Sequence, residues 1–386
     1  METFKLAFFC WESLHSTFKV GGLAPAATHL AEHLAQKGHE VHFFTRGENG
    51  DAVIEGVHYH YCLPFGDNIV EYCRTMSNML VDAFRACDTP PFDILHFHDW
   101  HLVEAMHLLR DRNTVLSYHS TEYGRHGGNF GGWWEFQEIS GKEWYGGYIA
   151  KAVTTVSNST KTEVMWLYNV PGWKVTVIPN GIDPSAYRIP VDPGEVKKHY
   201  GIHPLAPVVL FVGRLTYQKG PDLLMQAIPQ ILAKRWDVQF LFAGNGDMRG
   251  YLESTAHGLP VQFLGYVSDA EHIRLLNACD LVVIPSRNEP FGLVLTEAWS
   301  AERCVVATDV GGLSENIDNY KNGIKVPVRP DSIAWGVSHL IDDPAYMQRL
   351  GKAGHRKVME KFRWDAVTER MLEVYGRVLS GNPGGG

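Results

Sequence analysis

Short apolar runs alternate with amphipathic stretches along almost the whole chain, and the alternation comes in two series. Lys5–Phe9 reads as a strand. Gly22–Lys37 then reads as a helix, because Leu23, Ala26, Ala27, Leu30 and Leu34 recur at helical spacing and Gly38 follows. Further strands are expected at Val41–Thr45, Ile94–Phe97, Thr114–Tyr118, Ala152–Val156 and Val175–Ile178. The second series begins after Pro207. It has strands at Val208–Val212, Val238–Ala243, Val261–Leu264, Leu281–Ile284 and Cys304–Thr308, and helices at Pro221–Ala233 and Leu293–Ser300. A run that is apolar throughout, rather than at every second residue, is covered on both faces, which means a parallel sheet between helices. Two series in tandem predict two doubly wound α/β domains, and 386 residues exceed what one ordinary core holds. Asp183–His203, with Pro184, Pro190, Pro193 and Gly194, reads as the linker, and Trp364–Leu379 as a last helix.

Several functions are excluded early. The net charge is −8, from 35 basic against 43 acidic residues, and no basic cluster stands out. Nucleic-acid binding, which rests on such clusters, is not expected. No apolar run is long enough to span a bilayer, and the first residues read as a buried strand rather than a leader. The six cysteines form no CxxC pair and read as small buried hydrophobes in a reducing compartment, so a cytoplasmic protein is expected.

Three stretches carry candidate chemistry. Lys19-Val20-Gly21-Gly22 opens the first helix, where paired glycines and free N–H groups suit an anion. In GRLTYQKG, Arg214 and Lys219 flank a loop between a buried strand and a helix, and two cations there suit a diphosphate. In EPFGLVLTEA, Glu289 and Glu297 bracket a helix start at which Phe291, Gly292 and Leu293 offer unbonded N–H groups. Two acids around an anion site suit the hydroxyls of a sugar and of a ribose. Each stretch also has a plain structural reading: a turn, two solvated charges, a helix with two glutamates.

The combination R-x4-K followed by E-x7-E in EPFGLxxxEA resembles the family-4 retaining glycosyltransferases of GT-B architecture. HFHDWH (His96–His101), YHSTEYG (Tyr118–Gly124), IPNGID (Ile178–Asp183), FLGYVSD (Phe263–Asp269) and TDVGGLSENI (Thr308–Ile317) fall in that family's order. The resemblance implies two Rossmann-like domains facing each other across a cleft, with the last helix crossing back to the first. The expected division is an acceptor-binding domain of residues 1–186 plus 366–386 and a nucleotide-sugar-binding domain of residues 187–365. Carried over residue by residue, Arg214 and Lys219 would hold the donor diphosphate, Glu297 the ribose and Glu289 the transferred sugar. Gly21, Gly22, Gly292 and Leu293 would meet the distal phosphate, with Lys19 and Phe291 beside them. Tyr266 and Val267 would border the base. His119 would stand by the anomeric carbon and Asp99 on the acceptor side. The resemblance implies retention and no metal or cofactor, and the absence of any Asp-x-Asp agrees.

FKVGGLA and HFHDWH place the chain nearest the glycogen and starch synthase branch, which implies a glucosyl donor and an α-glucan or maltooligosaccharide acceptor. Two features depart from that branch: Pro25 stands where an acidic residue is usual, and residues 124–148 are rich in glycine and tryptophan. Trp133, Trp134 and Trp144 there either stack on acceptor sugars or only pack. A small sugar, a sugar phosphate or a lipid remains the alternative acceptor, and a nucleotide-sugar epimerase the alternative from another class. His96, His98 and His101 read as a hydrogen-bonded set rather than a zinc site, since no cysteine or HExxH pattern accompanies them.

Overall fold

The computed structural model describes residues 3–18 and 21–381. The expected donor contact Lys19 lies outside the described residues. The chain divides into two compact units. One comprises Met1–Tyr123, Phe130–Gly181 and Trp364–Gly386, and the other Gly124–Asn129 and Ile182–Arg363.

The first unit is built on an eight-stranded sheet: β1 (Lys5–Phe9), β2 (Glu40–Arg46), β3 (Gly50–Ile54), β4 (Val57–Cys62), β5 (Ile94–His98), β6 (Thr114–Tyr118), β7 (Ala152–Thr155) and β8 (Val175–Val177). Their order is β3-β4-β2-β1-β5-β6-β7-β8. All pairs are parallel except β3 with β4. Every residue of β1, β5, β6 and β7 is buried, as a strand covered on both faces requires. Alternate side chains of β1 enter different cores. Ala7 and Phe9 pack with helix α2 (Ile69–Cys87), whereas Leu6 and Phe8 pack with helix α1 (Leu23–Gln36) and the last helix, Trp364–Leu379. Each buried phenylalanine contributes about 1.5–3 kcal/mol. The last helix is amphipathic and buries Val367, Met371, Val374, Tyr375 and Val378 on the first unit, and the Tyr375 hydroxyl meets His96 Nδ1 at 2.7 Å.

The second unit holds a six-stranded sheet: β9 (Val208–Val212), β10 (Gln239–Ala243), β11 (Val261–Gly265), β12 (Leu281–Ile284), β13 (Cys304–Thr308) and β14 (Ile324–Val326). Its order is β11-β10-β9-β12-β13-β14, with every pair parallel. In both sheets the chain reverses its direction of winding beside the first strand, between β1 and β5 and between β9 and β12. Ligands of doubly wound sheets bind outside the carboxyl ends at that switch point. Among the described residues no helix is long and apolar enough to cross a membrane.

Two expectations need correction. Asp183–His203 is not simply a linker, because it contains the short helices Pro184–Tyr187 and Pro193–His199. Asp183 and Asp192 cap them through their carboxylates, and each proline occupies a first helical position, where its missing N–H costs nothing. The antiparallel pair β3–β4 was also unforeseen. Its turn is Glu55-Gly56, both at positive φ (49° and 80°), in a two-residue hairpin that usually takes Asn-Gly.

Candidate active site

In the second unit, the loops after β9 and β12 meet at the switch point. The β12 loop runs from Pro285 to Gly292 and is tied to the β9 loop at several places. Arg287 donates to both oxygens of Asp222 (2.8 and 2.6 Å), its amide donates to Gln218 O (2.8 Å), and its guanidinium lies 3.9 Å from the Tyr217 ring centre. Thr308 Oγ1, ending β13, donates to Ser286 O (2.5 Å). Gly311 and Gly312 form the other wall. A Cβ on Gly311 would lie 2.1 Å from Glu289 O, and the Gly312 amide donates to that same oxygen (2.8 Å). This close approach is what the paired glycines of TDVGGLSENI permit.

The frame brings Lys219 and Glu289 together. Lys219 Nζ lies 2.9 and 2.8 Å from the two oxygens of the buried Glu289, and Ser286 Oγ donates to Glu289 at 3.0 Å. Arg214 is exposed and bonds Gln218 Oε1 (3.2 Å), with no carboxylate partner among the described residues. Gly292, at φ +93°, turns the chain into the helix Leu293–Ser300. The N–H groups of Gly292 and Leu293 have no acceptor among the described residues. One neutralised cation, one unneutralised cation and a helix start thus lie on adjoining loops.

Glu297 lies about one turn along that helix. Its carboxylate meets the Tyr187 hydroxyl (3.4 Å) and His272 Nε2 (3.6 Å). Burial pushes its carboxyl above the ordinary carboxylate range, against the opposing pull of His272 and the Tyr187 hydroxyl. Tyr266 and Val267 follow the carboxyl end of β11, with Tyr266 78% exposed.

In the first unit, Asp99 and His119 follow the carboxyl ends of the neighbouring strands β5 and β6. Asp99 is buried at φ 55°, a strained conformation for an aspartate, and its Oδ1 accepts the His119 amide at 2.7 Å. His98 Nδ1 and His119 Nε2 are 3.0 Å apart. Burial lowers both imidazoles, His98 well below the usual histidine value, so both are neutral at pH 7. His96 is held to about 3 by burial and bonds Tyr375 and Ser117. The three histidines of HFHDWH therefore do not share one centre: the His96 and His98 rings lie 4.2 Å apart but bond outward, His96 to Tyr375 and Ser117 and His98 to His119, and His101 stacks on Trp11 and Trp100.

The first glycine pair has an occupant that sequence reading missed. Glu12 Oε1 accepts from the amides of Gly21 (2.9 Å) and Ala24 (3.2 Å) at the start of α1. A carboxylate already occupies the positive end of that helix in the free chain. Its only trace in sequence is an acid nine residues before Gly21, which no short motif marks. Tyr187, His272 and Arg287 went unforeseen for the same reason, since each acts through a partner distant in sequence, whereas Ser286 stands three residues from Glu289 without a motif to mark it. Trp133, Trp134 and Trp144 are 45%, 48% and 47% exposed, and Trp144 stacks on Tyr148 at 5.8 Å. They lie on the surface rather than in the core.

Residues 20–186 match the glycosyltransferase family 4 domain, and residues 194–357 the glycosyl transferases group 1 domain. An uncharacterized glycosyltransferase of Methanocaldococcus jannaschii is 37% identical over 96% of this chain and 97% of its own length. The chain belongs to the GT-B glycosyltransferases. The enzyme is also 29% identical to a glycogen synthase of Mycobacterium tuberculosis, over 96% of this chain and 94% of that protein. Its fold matches the catalytic domain of starch synthase IV from Arabidopsis thaliana bound to ADP and acarbose, with a TM-score of 0.79, 19% identity, and 98% and 100% of the two chains covered.

Proposed function

We propose that the enzyme transfers a hexosyl group, glucosyl in the first instance, from a nucleotide-diphosphate sugar to an α-glucan or maltooligosaccharide. The observation that carries this reading is the convergence of Arg214, Lys219 and the open N–H groups of Gly292 and Leu293 at the second switch point. Together they suit a diphosphate leaving group, whose growing charge fixed cations and amides stabilise without a metal. In this reading Lys219 is shared between Glu289 and the phosphate, and Glu289 turns its freed acceptor capacity to sugar hydroxyls. Glu297, propped by Tyr187 and His272, takes the ribose, and Tyr266 and Val267 border the base. Gly21 and Gly22 would approach the distal phosphate only as Glu12 yields its place. The neutral His119, with Asp99 fixing its amide, leaves its backbone carbonyl for the developing positive charge. The likeness to a glycogen synthase supports the glucan, as do the exposed tryptophans, whose faces suit sugar rings.

Two results test the mechanism. Turnover is expected to be unchanged in EDTA, and the first product seen by proton NMR is expected to carry the α-configuration of the donor. A strict metal requirement, or an inverted product, would contradict it. Glu297→Ala is expected to raise the donor KM by about tenfold, as loss of a charged hydrogen bond to the ribose does, with kcat little changed. A loss confined to kcat would remove the ribose role.

A further inference from the structure

The first sheet gathers a second group of histidines, on the face that packs against α2. His42 of β2 and His58 of β4 are register partners with stacked rings, 4.7 Å between centres. His60 follows on the same face, its Nε2 lying 2.9 Å from His42 Nδ1. The outer nitrogens of this pair are both held by carboxylates: His42 Nε2 is 3.1 Å from Glu40 Oε1, and His60 Nδ1 is 2.8 Å from Asp51 Oδ1. A carboxylate only accepts, so each outer nitrogen carries its ring's proton. In neutral imidazoles the two facing nitrogens are then both lone pairs, directed at each other across 2.9 Å. With both rings in that tautomer, a shared cation relieves the contact.

Cys87 supplies a third donor. It ends α2, and its Sγ and one ring nitrogen from each of His42 and His60 all lie within 4.8 Å of one another. Lys5 Nζ bonds the carbonyls of Cys87 and Pro90 (3.0 Å each) and lies 3.4 Å from Glu40, which fixes the turn carrying the thiol. His42 is buried, whereas His60 and Cys87 are partly exposed, so an ion has a way in.

We propose that His42, His60 and Cys87 form a zinc site, with a fourth position open to water. Two imidazoles and a thiolate are donors that zinc takes, and carboxylates behind the imidazoles are the usual outer partners of zinc histidines. Coordination replaces the facing contact by two Zn–N bonds of about 2.0–2.1 Å and a Zn–S bond of about 2.3 Å. The imidazoles pivot apart by a few tenths of an ångström, Sγ moves inward, and the thiol proton leaves to solvent. The ion ties β2 and β4 to the end of α2. Asp99 and His119 follow the carboxyl ends of β5 and β6, so the site is separate from the proposed chemistry and does not rest on it.

Cobalt(II) is the probe, added to the full chain after chelation under reducing conditions. A thiolate-to-cobalt charge-transfer band is expected to saturate at about one ion per chain and to vanish on adding Zn²⁺. Cys87→Ser should abolish the band, His60→Ala should weaken binding at least tenfold, and Asp51→Asn should weaken it about 10–100-fold. Circular dichroism verifies that each variant is folded, and Cys87→Ser changes only one partly exposed atom. Zn²⁺ should also raise the unfolding temperature of the parent chain but not of Cys87→Ser. Absence of the band, or a band that survives Cys87→Ser, would overturn the site. A His60 ring doubly protonated by ¹⁵N NMR at neutral pH with Zn²⁺ present would do the same, and would identify the shared cation as a proton.

Discussion

Lys219→Ala is expected to lower kcat about 10²–10³-fold, the usual consequence of removing one preorganised group from a developing charge, or about 2.7–4 kcal/mol. Lys219 is the cation that the frame positions most firmly, held at 2.8–2.9 Å by both oxygens of Glu289 on a loop bound by Arg287 to its neighbour. Alanine removes the charge and also leaves Glu289 with Ser286 as its hydrogen-bond donor. Some stability goes with it, about 1–3 kcal/mol for a buried acceptor that loses its partner. The Lys219 side chain is 24% exposed, so water softens that loss and the sheet core is not touched. Kinetics and urea unfolding on the same preparation separate the two effects. Unchanged kcat in a folded variant would remove Lys219 from the chemistry.

Gly311→Ala should be among the most damaging single-methyl changes in the second unit. The new Cβ would lie 2.1 Å from Glu289 O, a backbone atom that cannot step aside, and Gly311 sits at φ +50° besides. Overpacking against backbone together with left-handed strain predicts a loss of about 3 kcal/mol or more. Turnover should fall with it, because the displaced carbonyl belongs to the residue that holds Lys219. Gly376→Ala is the matching control. Its Cβ meets nothing within 4 Å inside the last helix, and alanine there should stabilise by up to about 1 kcal/mol. Equal unfolding curves for Gly311→Ala and the parent would show that Glu289 is not seated as described.

What could be read from sequence divides along a physical line. Strands buried on both faces, such as β9 and β12, were legible because burial leaves no polar position in the run. The β3–β4 hairpin was not, because VHYHYC carries histidines where an ordinary core strand carries aliphatics. The helix Trp134–Ile149 was hidden by Gly141, Gly146 and Gly147. Yet Gly146 and Gly147 are the positions where a side chain would collide with Leu116, Val103 and Tyr118. The site followed the same rule. Arg214, Lys219, Glu289 and Glu297 stood out because each sits in a short motif at a strand end. The pairing of Lys219 with Glu289 spans 70 residues, and Glu12 reaches its helix from a different loop. Contacts of that kind are made by topology, and residue spacing does not encode them.

The central claim is acceptor-dependent transfer from a nucleotide-diphosphate sugar. It is tested most directly by measuring nucleotide release from ADP-glucose, UDP-glucose, GDP-mannose and UDP-N-acetylglucosamine, each with and without maltooligosaccharide. The expected result is release from a glucosyl donor only when the oligosaccharide is present, together with a product one sugar longer. Absence of acceptor-dependent release from every donor would contradict the glucan reading. Conversion of a donor to its epimer without release would replace transfer by epimerisation on the same diphosphate site.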